Sequence, residues 1–457
     1  MSGKLRIGLV IMLALAASIA DAKENSGKKR TRRTRTETVE KTANEKTANG
    51  TGSARKTTAG ETGGNDGAAE TEITVAAANR AVGGNFFSEQ RPLWECSSSE
   101  VAKRMKMTLP KGGENNPVHS VFTKRKVSFC GCGAEEFRFF IREGKIIRVD
   151  VMILDKGDSV KGKVVSSKRS DFSKRLQREE RELCRNLDSA FGASVNGVFG
   201  SGNQARRLPH WFCREAAIAV EMVDREFLML HILPREEIGR RKSPQSANRL
   251  DRAKLDLTGN IRREKNGDVF IDGVPMVDQG SKGYCVPATL ERCFRYYGIT
   301  DFDMHRIADA GHTSAGGGTA LTSALAGLGP MLHDCRLRRV SYGKLRLRGI
   351  IRGVDAGTPL IWALYSSPDY LKRLKEHNAA REKNGTSAQW KVMLRKMRRL
   401  PPSKQGAHVC LIIGYNSATE EIAVSNSWGA GGELAWVRFV DAAAADAGEE
   451  LYVLQPR

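Results

Sequence analysis

Residues 23–85 place the first limit on the fold, because they consist mainly of Lys, Arg, Thr, Glu, Gly and Ala and contain no aromatic side chain. Such a segment cannot bury enough apolar surface to offset the entropy that it would lose on ordering. We therefore predict a disordered basic linker over residues 23–85. The whole chain has 457 residues, 40% of them hydrophobic, which is long enough for two ordinary domains beyond the linker.

The extreme N-terminus has the pattern of an export signal. Lys4 and Arg6 precede a single apolar run that ends on the small residues Ala20-Asp21-Ala22. An uncleaved anchor helix is the alternative, but the run is somewhat short for a span of about 20 residues. We therefore predict a signal peptide over residues 1–22, no transmembrane segment after its removal, and a secreted protein or one of the periplasm or cell envelope.

Nine cysteines agree with an oxidising destination, and their odd number leaves one thiol over. If Cys285 is the free thiol, the others are expected to pair in disulfides. Cys130 and Cys132 lack the spacing of a zinc half-site, so we interpret them as disulfide partners of other cysteines. A bridge from Cys285 to Cys335 or Cys410 stays open as the alternative.

Residues 86–237 predict an α+β domain of unknown role. The stretches "SVFTKRKVSF" and "EEFRFFIREGKIIRVDVMIL" are strand-like, and the second one turns as a hairpin at Glu143-Gly144. A helix is expected over "SDFSKRLQREERELCRNLDSAFG", a second helix over "WFCREAAIAVEMV", and a strand over "EFLMLHIL". Residues 238–268 are polar, charged and aperiodic, which predicts a linker to a last domain over residues 269–457.

The chemistry of the last domain begins at "QGSKGYCVPATLERCFRYYGI", where Gln279 stands six residues before Cys285. Pro287 suits the opening turn of a helix, and Gly298 can end it. Cys285 is therefore expected at a helix N-terminus, where unpaired N–H groups and the helix dipole lower a thiol pKa and favour the nucleophilic thiolate.

A nucleophilic thiolate also needs a base and donors for the oxyanion that develops on the substrate. The Gln279 amide and the backbone N–H of Cys285 are the candidate donors. His408 is the candidate base because it opens the apolar strand "HVCLIIGY", which would hold its imidazole rigidly. Asn426, in "VSNSWG", can accept a hydrogen bond from the second ring nitrogen and fix the tautomer.

Two other histidines and a structural alternative compete with this interpretation. His305 and His312 are weaker candidate bases because they follow the cysteine helix closely, in a helix and glycine-loop region. A lone cysteine at a helix start is more often structural, and Trp428 with Gly429 can simply pack a turn. The joint occurrence of all these residues in the right order favours the catalytic interpretation.

The spacing Gln-(five residues)-Cys, followed by a helix, a His at a strand and Asn-Ser-Trp-Gly, resembles the papain-like cysteine peptidases. "CVPATLERCFRYYGI", "GTPLIWAL" and "HVCLIIGYN" follow in the order of the bacteriocin-leader-processing, or double-glycine, peptidases, which are the closer likeness. The resemblance implies a papain-like domain over residues 269–457, with an N-terminal helical part and an antiparallel sheet. The residue patterns of 86–237 predict that a separate smaller α+β domain precedes it.

For the site, the resemblance implies a peptide or protein substrate and no metal or organic cofactor. At two positions the chain departs from one of the two subfamilies. Val286 stands where papain has Trp, and Asn426 stands where the bacteriocin peptidases usually have Asp. The resemblance implies that Cys285 is the nucleophile and His408 the base and acid. It implies that Asn426 is the orienting residue and that Gln279 is the oxyanion donor.

A net charge of +22 bears on the partners of the protein. Part of it lies in the linker over residues 23–85 and part in a basic insertion, residues 366–406, which predicts two helices around Asn384-Gly385. We expect these two segments to bind an anionic surface, with an affinity that depends on salt. No specific nucleic acid is expected as a partner. A catalytically inactive papain-like module that binds such a surface is the alternative function.

Overall fold

The computed structural model describes residues 73–110, 116–159, 166–200, 205–238, 256–314, 318–385 and 388–457. All of them belong to one compact unit, residues 69–457. The predicted signal peptide, residues 1–22, and most of the predicted linker lie outside the described residues. Within the described part, no helix is long and apolar enough to cross a bilayer.

The first half of the described chain is built around a seven-stranded sheet in which neighbouring strands run antiparallel, in the order β1-β2-β3-β7-β6-β5-β4. Its elements in chain order are α1 (Val75–Val82), α2 (Ser98–Arg104), β1 (Val118–Phe129), β2 (Cys132–Arg142), β3 (Lys145–Asp155), α3 (Lys156–Ser159), α4 (Ser166–Phe191), β4 (Val195–Phe199), β5 (Arg206–Cys213), β6 (Ala216–Val223) and β7 (Phe227–Pro234).

Two local features of this half agree with the sequence patterns. The β2–β3 hairpin turns at Glu143 and Gly144, whose φ values of 52° and 75° are both left-handed, as a two-residue hairpin turn requires. Helix α4 packs one apolar face into the core of the first half, and four of its side chains are buried there: Phe172, Leu176, Leu183 and Leu187.

The helix predicted over "WFCREAAIAVEMV" is wrong, because these residues form the end of β5 and all of β6. The two strands turn at Arg214 and Glu215, and Arg214 has a left-handed φ of 56°. The first six residues of β6 are all buried, so the run carries no alternation of apolar and polar residues. Periodicity alone does not distinguish such a strand from a buried helix.

Part of the predicted disordered linker is ordered. Helix α1 lies inside residues 23–85, with the Thr74 hydroxyl accepting a hydrogen bond from the backbone N–H of Ala77. Val75, Ala78 and Val82 are buried in the core of the first half. These apolar residues share one helical face, and their burial against the sheet supplies the stabilisation that the polar composition around them lacks.

The second half contains an eight-stranded antiparallel sheet together with eight helices in the described residues, in agreement with the expected α+β class. Its elements are β8 (Ile261–Arg263), β9 (Val269–Ile271), α5 (Cys285–Tyr296), α6 (Met304–Ala310), α7 (Leu321–Gly327), α8 (Gly329–Asp334), β10 (Leu337–Gly343), α9 (Leu347–Asp355), β11 (Leu360–Tyr365), α10 (Pro368–Asn384), α11 (Ala388–Lys396), β12 (Ala407–Asn416), β13 (Glu421–Ser425), β14 (Ala435–Arg438), α12 (Phe439–Ala445) and β15 (Leu451–Pro456).

The main path of this sheet is β10-β15-β11-β12-β13-β14, and β9 pairs with both β8 and β12. Strand β8 lies inside residues 238–268, which the sequence predicts to be a linker. It is ordered because its three residues pair with β9, so that a short polar strand gains a hydrogen-bonded partner. The second sheet therefore begins before Val269.

The insertion over residues 366–406 forms two helices, α10 and α11, on either side of Gly385, as its pattern predicts. His377 on α10 is fully buried and lies 2.6 Å from Glu421 of β13 through its Nε2. Trp390 on α11 is buried as well and donates to the other oxygen of Glu421 at 3.2 Å. These contacts anchor both helices to the sheet, so the insertion is not a freely solvated hairpin.

Buried ion pairs join the two halves. Arg138 of β2 contacts Glu291 of α5, and its Nη1 lies 3.1 Å from Asp303 at the start of α6. Arg306 of α6 contacts Glu221 of β6. Charged side chains are rarely buried unless they are paired, so these contacts tie the relative position of the two sheets to specific partners.

The disulfides expected from the cysteine count are absent, because all nine cysteines, each of which lies in the described residues, are free thiols. Cys130 and Cys132, the expected disulfide partners, are buried at opposite ends of the turn between β1 and β2. Burial raises the pKa of Cys132 to about 11. Most of these cysteines therefore act as small apolar side chains of the two cores.

We expect a thiol titration of the denatured protein, without reductant, to find all nine cysteines. The folded protein should expose fewer of them to the same reagent, because seven are buried. The melting midpoint should be the same with and without reductant, since no bridge restrains the unfolded chain. A deficit of thiols together with a melting midpoint that falls under reductant would contradict the free-thiol assignment.

Candidate active site

Cys285 is the first residue of α5, as the sequence pattern predicts, and it is half-buried. The helix forms here because Pro287 fits its first turn, while Leu290 and Phe294 bury its apolar face in the core of the second half. The backbone groups of Cys285, Val286 and Val409 lie near the thiol and act to lower its pKa. The sulfur therefore lies against the residue that follows His408 on β12.

Burial raises the pKa of the Cys285 thiol above its ordinary value, and these backbone groups oppose this shift only in part. The lowered pKa expected from the helix N-terminus is therefore wrong for this chain. The reason is desolvation, because packing α5 against β12 removes water that would stabilise a thiolate. The resting form of Cys285 is the neutral thiol.

His408 is the second residue of β12 and is buried. Its Nε2–H donates to Oδ1 of Asn426 at 3.0 Å, and Asn426 follows directly after β13, the antiparallel neighbour of β12. An amide oxygen only accepts, so this contact keeps the proton of the neutral ring on Nε2 and leaves Nδ1 as the basic nitrogen. Burial lowers the pKa of His408 to about 4, which keeps the ring neutral near pH 7.

Trp428 lies directly over the imidazole. Its ring stacks on that of His408 with a centroid distance of 4.7 Å and an interplanar angle of 26°. The indole is 39% exposed, so it covers the histidine on one side and faces solvent on the other. Trp428 therefore does more than pack a turn, because its indole also keeps water from one face of the His408 ring.

Gln279 is held by the same "NSWG" segment. Its backbone N–H donates to the carbonyl of Ser427 at 3.0 Å, and its Oε1 accepts from the Ser427 hydroxyl at 2.7 Å. Its Nε2 donates one hydrogen bond to the carbonyl of Lys282 at 3.0 Å. An amide nitrogen carries two N–H groups, so one of them stays available for a substrate oxygen.

Arg292 is a site-building residue that sequence reasoning missed. Its guanidinium is fully buried and donates to the carbonyl of Ser425 at 3.0 Å, to the Ser425 hydroxyl at 2.5 Å and to the carbonyl of Pro275 at 2.9 Å. Ser425 immediately precedes Asn426, so helix α5 fixes the position of Asn426. The available signal was its spacing, because residues 285 and 292 lie two turns apart on one helical face.

The rival histidines lie elsewhere. His305 is buried among the ion pairs between the halves, with its Nε2 3.7 Å from Glu136 and its ring 5.8 Å from that of Tyr284. His312 is exposed in a turn with a left-handed φ of 50°. Across the described ranges, no group of three or more His, Cys, Asp or Glu side chains is arranged to hold a metal ion. Cys285, His408, Asn426 and Gln279 are the four that the structure brings together.

Residues 271–444 match the Peptidase_C39 like family. This part of the chain is therefore similar to that family. The matched region contains all four predicted site residues, and it confirms the resemblance to the papain-like cysteine peptidases and their C39 branch. Similarity to a C39-like family supports a cysteine peptidase.

Two solved structures are similar to part of the chain. A protein from Bacillus anthracis described as a C39-like peptidase is 14% identical, with 42% of this chain and 98% of that chain covered and a TM-score of 0.27. Xylellain, a cysteine protease from Xylella fastidiosa, is 11% identical, with 46% and 91% covered and a TM-score of 0.29. No curated protein matches the chain in sequence.

We expect the rate at which iodoacetamide alkylates Cys285 to rise about tenfold per pH unit from neutral pH upwards, because a thiol with a raised pKa carries little thiolate there. Mass-spectrometric mapping follows the site, and Cys184, the other partly exposed cysteine, with a pKa raised to about 11, is the control. A rate that is flat from about pH 5 to pH 8 would show a preformed thiolate–imidazolium pair and contradict this expectation.

Replacing Asn426 with Ala should lower kcat by about 10- to 100-fold, a share of the 10²–10⁴ that general acid–base catalysis supplies, because the imidazole loses its fixed tautomer. Asn426→Asp should retain more activity, since a carboxylate accepts the same hydrogen bond. Asn416→Ala removes another buried amide of the same sheet and should lower only the melting temperature. Full kcat in a folded Asn426→Ala variant would contradict the orienting role.

Proposed function

We propose that the protein is an exported cysteine peptidase that hydrolyses peptide bonds through Cys285, His408 and Asn426 by way of a thioester acyl-enzyme. The observation that carries the proposal is the hydrogen bond from His408 Nε2 to Asn426 Oδ1 on β12, beside the strand position that contacts the Cys285 sulfur. This bond leaves the basic nitrogen of His408 to serve the thiol.

In the first half-reaction, the Cys285 sulfur attacks the carbonyl carbon of the peptide while His408 Nδ1 takes the thiol proton. The carbonyl oxygen becomes an oxyanion. The free N–H of the Gln279 amide and the backbone N–H of Cys285 donate hydrogen bonds to it. The protonated His408 then gives its proton to the leaving amine as the carbon–nitrogen bond breaks. The product is a thioester on Cys285 and a free amine.

In the second half-reaction, water attacks the thioester carbon while His408 Nδ1 takes its proton. The oxyanion forms again at the same donors, the carbon–sulfur bond breaks, and the proton returns to sulfur. The product leaves as a carboxylic acid, which loses its proton to the surrounding water, and the neutral pair is restored. Because desolvation favours the neutral forms of both Cys285 and His408, proton transfer in this scheme accompanies attack rather than preceding it.

The substrate is a peptide or protein, and the site of action that we propose is the cell envelope or the medium outside it. The signal-like residues 1–22 support export. Exposed basic residues on and beside α11, among them Arg395, Lys396 and Arg399, support retention at an anionic surface next to the substrate. The first half has its own apolar core and lies before the matched residues 271–444, which supports a separate domain.

The proposal is tested with the full chain, a peptide library and a thiol-directed epoxide. We expect hydrolysis by the wild type, none by Cys285→Ala, undiminished hydrolysis by the control Cys184→Ala, and epoxide modification at Cys285 alone. Modification at another cysteine, or hydrolysis that survives Cys285→Ala, would contradict the assignment. Salt-sensitive retention on anionic vesicles without any hydrolysis would favour the inactive binding module instead.

A further inference from the structure

Lys282 lies in the loop between Gln279 and Cys285, but its side chain points into the first half. The ammonium is completely buried, 2.7 Å from Asp158 Oδ2 and 3.6 Å from Asp155 Oδ2. The ring of Phe122, on β1, lies 5.0 Å from the same nitrogen. A residue of the candidate active-site loop thus pairs with carboxylates of the first half.

The same loop makes further contacts with the short helix α3. The hydroxyl of Ser281 donates to Asp158 Oδ1 at 3.1 Å, and the backbone N–H of Asp158 donates to Asp155 Oδ1 at 3.0 Å. Asp158 therefore contacts two neighbouring residues of the loop, Ser281 and Lys282. Asp155 in turn accepts a hydrogen bond from the backbone of Asp158. The two carboxylates form one unit, which we call the acidic clamp, Asp155 and Asp158.

Close packing reinforces this contact next to Cys285. A Cβ on Gly157, between the two clamp residues, would come within 2.9 Å of the Tyr284 ring, so the close approach requires glycine there. Tyr284 is the residue immediately before Cys285, at the N-terminus of α5. The clamp segment thus contacts the loop on the Ser281–Lys282 side and again at Tyr284, where the helix begins.

Electrostatics favour a tight contact. Burial by itself would lower the pKa of Lys282, yet the surrounding carboxylates of Asp155, Glu136 and Asp158 outweigh it and raise the pKa, so the ammonium stays charged. A buried charge that loses its partner is strongly disfavoured, and a flexible lysine would then move toward water. Movement of Lys282 would also move its backbone carbonyl.

That carbonyl accepts the hydrogen bond from the Nε2 of Gln279 at 3.0 Å. We propose that the first half is a positioning element of the peptidase, in which the acidic clamp holds Lys282 and thereby aims the Gln279 amide at the oxyanion. This inference rests on the proposed function. It assigns the positioning of the Gln279 amide to residues of the first half. Asp155, Asp158 and Lys282 are positioning residues, since none of them touches the reacting atoms.

The other ion pairs between the halves do not share this role. Arg138 reaches Glu291, in the second turn of α5, and Asp303, which caps α6. Those contacts hold the helices to the first sheet, whereas the clamp is bonded to the loop that carries Gln279.

The test uses the full chain with Asp158→Asn and Asp158→Glu. Loss of an oxyanion donor lowers kcat by about 10²–10³, so a displaced donor should cost about 10- to 100-fold in kcat with little change in KM. Asp158→Glu keeps the charge and should recover most of the activity. The alkylation rate of Cys285 should stay unchanged, because the thiol does not use the Gln279 amide. Asp171→Asn, an exposed carboxylate on α4, should behave like the wild type.

A double-mutant cycle with Gln279→Ala separates positioning from a general loss of structure. If the clamp acts through Gln279, Asp158→Asn causes no further loss of kcat in the Gln279→Ala background. Effects that multiply, or full kcat in a folded Asp158→Asn variant, would overturn the inference. Should Asp158→Asn fail to fold, Ser281→Ala, which removes only the hydroxyl contact with Asp158, takes its place in the cycle.

Failure of the proposed function gives a different result. A wild type whose hydrolysis does not depend on Cys285 contradicts the peptidase assignment itself, and the positioning role falls with it. Hydrolysis that requires Cys285 but ignores Asp158 contradicts the positioning role alone.

Discussion

The packing of helix α5 on strands β12 and β13 is the contact on which the rest of the site depends. Thr289 donates to the carbonyl of Val409 at 3.1 Å, and Arg292 donates to Ser425, so one helix fixes both strands. The cysteine sits at the N-terminal end of this helix, while the histidine and asparagine come from the two strands. Because these bonds are buried, the three side chains are held with little freedom.

The same packing sets the electrostatics. Excluding water from the thiol and the imidazole raises the pKa of one and lowers that of the other, so both groups rest in their neutral forms. Trp428 completes the exclusion on the outer face of the ring. In the proposed mechanism the protein supplies orientation and a dry environment, and the proton moves when the substrate carbonyl arrives.

The two halves are joined through charges rather than through a continuous apolar core, since each sheet keeps its own hydrophobic cluster. Buried charges cost more to desolvate than apolar groups, and they tolerate little displacement of their partners. An interface of this kind therefore specifies one relative arrangement. Through it the first half contacts the loop that carries Gln279. An apolar contact at this place would be less directional.

Local pattern alone determined the α+β class, the hairpin at Glu143-Gly144, the cysteine helix and the identity of four candidate site residues, because each depends on neighbours within a few turns or one strand. Sequence reasoning failed for β6, whose uniform burial hides the strand period, and for the cysteines, whose pairing is a matter of distance. Only the tertiary structure decided the pKa of Cys285, the place of Arg292 and the destination of Lys282. Each of these depends on groups more than a hundred residues away in the chain, and long-range desolvation and charge pairing leave no periodic signal in sequence.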